Sequence, residues 1–257
     1  SLLSGALLGA IFIVTLGAAW LSERTLPPPA GEARSLKVMT YNIQQANDEN
    51  AQRAHLRQLE LIRQVSPDVL ALQESDSARI SLGNNDYVRY YAGKLGYYSY
   101  YSPKTVTGTF GAALLSRYPL ENPHTVFTFS DQDEIGTTVA EIQVGDRRFN
   151  IYNVHPDGSD SAMLVFAEEL LRRTAGQENV IALGDFNLRP YEEAYQLIDA
   201  VLINAWTDAF PDGGTMPEER RIDHIFVSPG LEVRDPVYLL APESATDHPA
   251  HWAEIGW

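Results

Sequence analysis

Asp185 and Asn187 stand two residues apart at the end of an apolar run, Asn179-Val180-Ile181-Ala182-Leu183-Gly184-Asp185-Phe186-Asn187. Alternate residues of a strand point the same way, so a strand here would aim the carboxylate and the amide into one small volume. Such a pair suits a water molecule, a hard cation or a phosphate oxygen. Gly, Asp and Asn are also ordinary turn residues, and the motif gains weight from similar residues elsewhere in the chain. Asn42 closes the run from Leu36, Glu74 follows Val69-Leu70-Ala71-Leu72-Gln73, and His155 follows Arg147 to Val154. Asp223 stands in Arg221 to Val227, and Asp247-His248 lie in a loop before a final apolar run. These eight residues are four carboxylates, two amides and two histidines, from six separate segments. Oxygen ligands without thiolates favour Mg²⁺ or Mn²⁺ over structural zinc. Histidines beside them can orient or protonate reacting groups near neutral pH. Metal-assisted attack of water on a phosphate ester needs a Lewis acid, an acceptor for the water proton and a donor for developing charge, and the set contains all three. No G-x-S-x-G or P-loop competes with that chemistry.

The elements that must position these residues can be read from periodicity. Leu36 to Ile43 predicts a strand; Leu56, Leu59, Ile62 and Val65 fall at helical spacing over 51–65, with Pro67 as a stop, and Val69 to Leu72 predicts a buried strand. Strand, helix, strand implies a layered α/β domain and places Asn42 and Glu74 at corresponding strand ends. Phe110 to Ser116 reads as a strand, and the Arg117 after it is a candidate phosphate contact or a surface arginine. Thr137 to Val144 and Arg147 to Val154, joined by Gly145-Asp146, predict an antiparallel hairpin. An amphipathic helix is expected over 161–175 and a short one near Tyr191 to Asp199. His224 falls mid-strand, where packing is the better assignment. Seven of the thirteen tyrosines lie between Tyr87 and Tyr101; helix and edge-strand packing explains them better than a substrate wall.

Composition bounds the rest. The formal charge is −15, and residues 1–36 add nothing to it because Glu23 and Glu32 balance Arg24 and Arg34. So acidic a chain is poorly suited to tight non-specific binding of a nucleic-acid backbone, although a bound cation could still admit a phosphate. With no cysteine there is no disulfide, thiolate zinc site or cysteine nucleophile. Leu2 to Leu21 is twenty residues without a charge, the length of a bilayer-crossing helix. Residues 1–24 are therefore expected to be a transmembrane helix, placing the protein at a membrane of unassigned side, with a cleaved signal peptide as the competing assignment. Because the chain starts at Ser1 rather than methionine, upstream residues are expected. Residues 25–35, with Pro27-Pro28-Pro29, read as a proline-rich linker, and 36–257 as the folded domain.

Seven motifs in order, TYNIQ at 40–44, LQE at 72–74, LLSRYPL at 114–120, NVH at 153–155, GDFN at 184–187, RIDHIF at 221–226 and TDHPA at 246–250, resemble those of the endonuclease/exonuclease/phosphatase superfamily. That superfamily includes deoxyribonuclease I, apurinic endonucleases, sphingomyelinases and inositol-polyphosphate phosphatases. The resemblance implies an α/β four-layer sandwich, two mixed β-sheets flanked by helices, here preceded by one hydrophobic helix. It also implies that Glu74 binds Mg²⁺ with Asn42 and Asp247 nearby, and that Asp185 positions or deprotonates water held by Asn187. His248, oriented by Asp223, and His155 would stabilise the phosphorane or protonate the leaving group. Pro156-Asp157-Gly158 after His155 departs from the usual leucine. A narrower resemblance, over 58–80 and 100–123, is to the carboxy-terminal domain of membrane proteins that remodel the lipid of glycosylphosphatidylinositol anchors. The expected function is a membrane-tethered, Mg²⁺- or Mn²⁺-dependent phosphodiesterase or phosphatase acting on a lipid-linked or inositol-phosphate substrate. A nuclease ranks second, and a non-catalytic lipid-head-group binding module is the alternative of another class.

Overall fold

Period-two alternation in the central strands sorts their side chains into an inner and an outer file. The computed structural model describes residues 2–22, 33–76, 83–103, 110–129 and 134–257. One six-stranded sheet has the order β11 (Glu232–Leu239), β12 (Ala250–Gly256), β1 (Ser35–Asn42), β2 (Val69–Asp76), β4 (Phe110–Ser116), β3 (Tyr98–Pro103). The other, also of six strands, runs β5 (Glu121–Phe129), β6 (Glu134–Val144), β7 (Arg147–Val154), β8 (Val180–Asp185), β10 (Asp223–Val227), β9 (Ile203–Asn204). Leu36, Val38, Val69 and Ala71 of the first sheet meet Phe149, Ile151, Ile181, Leu183 and Ile225 of the second in the central core. The opposite files, Met39, Tyr41, Leu70 and Leu72, pack on α2 (His55–Val65) and α3 (Tyr87–Leu95). On the far side, Tyr152, Val154 and Ala182 pack on α4 (Asp160–Thr174) and α5 (Glu193–Asp199). The layers are helix, sheet, sheet, helix, as the family resemblance implied. A short α6 (Ala205–Ala209) lies against β10 and β11.

Each sheet has one parallel pair near its centre, β1 with β2 and β7 with β8, and its other pairings are antiparallel. Parallel neighbours need a crossover, supplied by α2 in one sheet and α4 in the other. The two βαβ units bring the carboxyl ends of β1, β2, β7 and β8 to one end of the central core, where the side chains turn polar. The predicted hairpin is β6–β7, and the tyrosine-rich stretch forms α3 and the edge strand β3. His224 is buried in β10, its Nε2–H donating to Leu188 O (2.8 Å) and its Nδ1 facing Asn204 Nδ2 (3.1 Å).

The membrane assignment is overturned. Among the described residues no helix is long and apolar enough to cross a membrane. The apolar run does form a helix, α1 (Leu2–Ser22). The Pro27-Pro28-Pro29 linker lies outside the described residues.

Candidate active site

The inner files that build the core end in polar residues. In β1 the file runs Leu36, Val38, Thr40, Asn42; in β7 it runs Phe149, Ile151, Asn153 and then His155; in β8 it runs Ile181, Leu183, Asp185. In β10, antiparallel to β8, it runs back through Val227 and Ile225 to Asp223, which pairs directly with Asp185. The alternation that buries the core therefore also aims these residues into the seam between the sheets. Glu74 breaks the parity, since Ala71 and Gln73 occupy the inner file of β2. The β2–β4 register shifts between Leu72 and Ser75, and Glu74 adopts φ 47°, so a bulge re-aims its carboxylate toward the site.

Asp185 is the hub. Asn187 N–H donates to its Oδ1 (3.0 Å) and Asn42 Nδ2 donates to its Oδ2 (2.9 Å). His155 Nε2 and His248 Nδ1 each lie 3.6 Å from that same Oδ2. Asn42 Nδ2 also reaches Glu74 Oε1 at 3.3 Å, and Asn42 Oδ1 accepts Gln44 N–H. His248 Nδ1 bonds Asp223 Oδ2 at 3.1 Å. Burial, and after it the charge of Asp185, drives the Asp223 carboxyl up to about 7. Burial opposes charge on His248, but Asp223, then Asp185 and Asp247, outweigh it and raise the imidazole to about 10. Asp223 and His248 thus act as one pair holding a proton through neutral pH.

Gly184 explains how β7 and β8 approach here. Its partner in the ladder is Val154, and a Cβ at 184 would sit 2.1 Å from Val154 O. Only glycine allows His155 and Asp185 to be carried side by side. Below them lies a buried polar layer that sequence reading did not single out. Thr40 Oγ1 donates to Gln73 Oε1 (3.1 Å), Gln73 Nε2 to Asn153 Oδ1 (2.7 Å), and Asn153 Nδ2 to Leu72 O and Ala113 O (3.0 and 2.8 Å). All three are fully buried and bridge the sheets. The available signal was an uncharged polar residue on the inner file of an otherwise apolar strand.

Three expected residues stand apart from this cluster or use their atoms differently. Arg117 follows the end of β4 that pairs with Val69, at the opposite end of β2 from Glu74. There it donates to Tyr97 Oη (2.9 Å) and pairs with Asp68 (3.4 Å), a structural role. The antiparallel direction of β4 carries it away from a site at the end of β2. Asp247 is exposed and its Oδ1 accepts from Thr246 Oγ1. Asn187 Nδ2 donates to Pro156 O (3.0 Å), tying the loop after Asp185 to the loop after His155. A cleft of about 540 Å³ opens beside Asn187, lined by Asp157, Met163, Leu188, Arg189 and Glu192 among others.

The donor set fits a divalent cation. Two buried carboxylates, Asp185 and Asp223, face each other across one ladder step, which is unfavourable without compensating charge. Among the described residues, Asp223 Oδ1 is buried with no hydrogen-bond partner. Asp185, Asp223 and His248 offer ligand atoms within 4.8 Å of one another; with His248 protonated on its Asp223 bond, Asp185 and Glu74, which both meet Asn42 Nδ2 (2.9 and 3.3 Å), are the carboxylates left for an ion.

Known proteins share both sequence and fold with this chain. The sequence model of the Endonuclease/Exonuclease/phosphatase family matches residues 39–248. Protein cwh43 of Schizosaccharomyces pombe is 36% identical over 78 residues, covering 30% of this chain and 8% of that protein's length, in keeping with the narrower resemblance. The fold is similar to the catalytic domain of human Nocturnin, solved with a bound sulfate, with a TM-score of 0.68 and 22% identity over 90% of this chain and 99% of that one. It is also similar to TDP2 from Caenorhabditis elegans, with a TM-score of 0.65 and 19% identity over 87% of this chain and 74% of that one. An endonuclease/exonuclease/phosphatase from Beutenbergia cavernae gives a TM-score of 0.67 and 19% identity over 87% of this chain and 72% of that one. A match across most of the ordered domain, together with this sandwich, shows that the chain belongs to the endonuclease/exonuclease/phosphatase family of phosphoester hydrolases.

Proposed function

We propose that this domain is a Mg²⁺- or Mn²⁺-dependent phosphodiesterase or phosphatase whose substrate is a lipid-linked or inositol phosphate. The observation that carries the reading is the convergence on Asp185 Oδ2 of Asn42 at 2.9 Å and of His155 and His248 at 3.6 Å, with Asp223 behind His248. Glu74 and Asn42 would hold the cation, with the Asp185 carboxylate beside it. When bound, such an ion polarises a phosphoryl oxygen and neutralises its charge.

The chain's own residues supply the proton chemistry. Asp185, oriented by Asn187 N–H and Asn42 Nδ2, accepts the proton of the attacking water. His248 enters protonated, its Nδ1 held by Asp223, which leaves Nε2 to donate to the developing charge on phosphate. His155, on the adjacent strand end, contributes a second donor. Asn187 fixes the spacing of the His155 and Asp185 loops through Pro156 O.

Support for the substrate class is chemical and comparative. A net charge of −15, with Asp157, Asp160, Glu192 and Glu193 around the adjoining cleft, opposes a polynucleotide track. A small phosphorylated alcohol presents fewer negative charges to that rim, and the cwh43 match fits a lipid-linked one. The test is hydrolysis of bis(p-nitrophenyl) phosphate, phosphatidylinositol, a phosphoinositide, and single- and double-stranded DNA, with Mg²⁺ or EDTA. Cleavage of an inositol lipid that needs the metal and falls about 10²- to 10⁴-fold in His248→Ala is expected. DNA as the preferred substrate, or turnover indifferent to EDTA, would overturn the reading.

A further inference from the structure

Outside the reacting groups, one wholly buried side chain joins two separate walls of the site. Gln58 of α2 has no exposed surface. Its Nε2 donates to Ile43 O (3.1 Å), Asn47 O (3.2 Å) and Ala245 O (2.9 Å), so that two N–H groups serve three carbonyls and one hydrogen is shared. Tyr91 Oη of α3 donates to Gln58 Oε1 at 2.8 Å, fixing which way the amide faces. The acceptors are well placed. Ile43 follows Asn42 directly, Asn47 ends the short 3₁₀ turn Gln44–Ala46, and Ala245 stands two residues before Asp247 and three before His248.

Both loops have backbone that needs holding. Gln44, Gln45 and Ala46 take φ of 45°, 55° and 64° in succession, and Ala245 takes 55°. L-residues with a Cβ adopt that region only when their surroundings impose it. Tyr41 Oη donates to Ser244 O, a second tie from β1 to the same loop. The segments are about two hundred residues apart in sequence, the Gln58–Ala245 bond spanning 187 positions; the β1–β12 ladder ends at Thr40–His251, just short of both loops, and among the described residues no strand pairing continues between them.

We infer that Gln58 is a positioning residue for the reaction: its carboxamide, anchored by Tyr91, pins the Asn42 loop against the His248 loop and so sets the distance between the groups that meet at Asp185. This rests on the phosphoesterase reading for its kinetic consequence, whereas the pinning itself does not. Small displacements of reacting groups are costly, of the order of 10²-fold per ångström.

The test uses the full chain with Gln58→Met and Gln58→Glu, of similar length, and Tyr91→Phe, which removes the anchor and leaves the donors. Gln58→Glu keeps the acceptor for Tyr91 and loses the amide donors. Hydrogen exchange by mass spectrometry is read over residues 43–47 and 244–248, and kcat and KM are measured on bis(p-nitrophenyl) phosphate with Mg²⁺. Both Gln58 variants are expected to speed exchange in the two loops together while the central strands stay protected. Their kcat should fall about ten- to a hundredfold with KM changed less than about twofold, and Tyr91→Phe should fall between them and the parent. Unchanged exchange in either loop, faster exchange with unchanged kcat, or a kcat loss matching only the unfolded fraction would overturn the inference. Should the Gln58 variants not fold, Tyr91→Phe decides on the same readouts. Absence of His248-dependent turnover in the parent would sink the phosphoesterase reading alone, and exchange would still decide the clamp.

Discussion

Replacing His251 by phenylalanine should invert the order of stability between parent and variant as pH falls. His251 is fully buried in β12, stacked on Tyr238 with ring centroids 3.8 Å apart and planes 16° from parallel. Its Nδ1 lies 2.9 Å from Val237 O, and its Nε2 is buried without a partner among the described residues. The ring is therefore neutral, with Nδ1 carrying the hydrogen. Burial, the dominant cause, lowers its pKa from 6.5 to about 3. A depressed histidine pKa means that the unfolded chain binds the proton first. The stability it confers is complete above the unfolded value and drains away as pH falls toward the folded one. At pH 5 the unfolded chain gains a factor of about 33 from protonation at this site and the folded chain almost none, a loss of about 2 kcal/mol. Phenylalanine keeps the stack and gives up the Val237 bond, about 1 kcal/mol at any pH. The variant should thus be less stable than the parent by about 1 kcal/mol at pH 8 and more stable by a similar amount at pH 5. Urea unfolding of both proteins at the two pH values measures the difference. Comparing them removes groups common to both, including His224, lowered by burial to about 4, and Asp223, raised by burial, which acts in the opposite direction. A gap of constant size and sign would refute the reasoning.

Two further substitutions probe the frame. Gly184→Ala places a Cβ 2.1 Å from Val154 O, a backbone atom that no rotamer change can move; it should cost about 3 kcal/mol or more in chemical denaturation and lower kcat by displacing Asp185. A stable and fully active Gly184→Ala protein would contradict the account of the β7–β8 approach. Arg117→Ala should lower stability by about 1–2 kcal/mol through loss of the Tyr97 and Asp68 bonds, with kcat/KM within about twofold of the parent; a large rise in KM would return Arg117 to the site.

Much of this architecture is legible along the chain because the physics involved is local. The alternation of Leu36, Val38 and Thr40 against Met39 and Tyr41 needs two dry faces, and the strand–helix–strand spacing of residues 36–76 needs a parallel pair. The same alternation placed Asn42, His155 and Asp185 at strand ends. What periodicity could not supply was direction and distance in space. Arg117 looked like a strand-end site residue, yet the antiparallel run of β4 carries it to the other end of the sheet. The apolar run at residues 2–21 has the composition of a membrane span and does form α1, yet no helix among the described residues is long and apolar enough to cross.

By itself, then, the sequence determined the chemistry available: oxygen and imidazole groups without thiols, an acidic surround, and seven motifs in a recognisable order. Periodicity gave a layered α/β domain as well, since burial patterns are set within a few residues, while the four-layer sandwich was implied by the resemblance those motifs carry. Only the tertiary structure decided that Asp223 lies opposite Asp185 in the β8–β10 ladder, that a bulge turns Glu74 inward, and that Gln58 reaches across 187 positions to Ala245. Register, bulges and long-range hydrogen bonds depend on which strands become neighbours, and that is settled by the burial of the whole core rather than by any one segment.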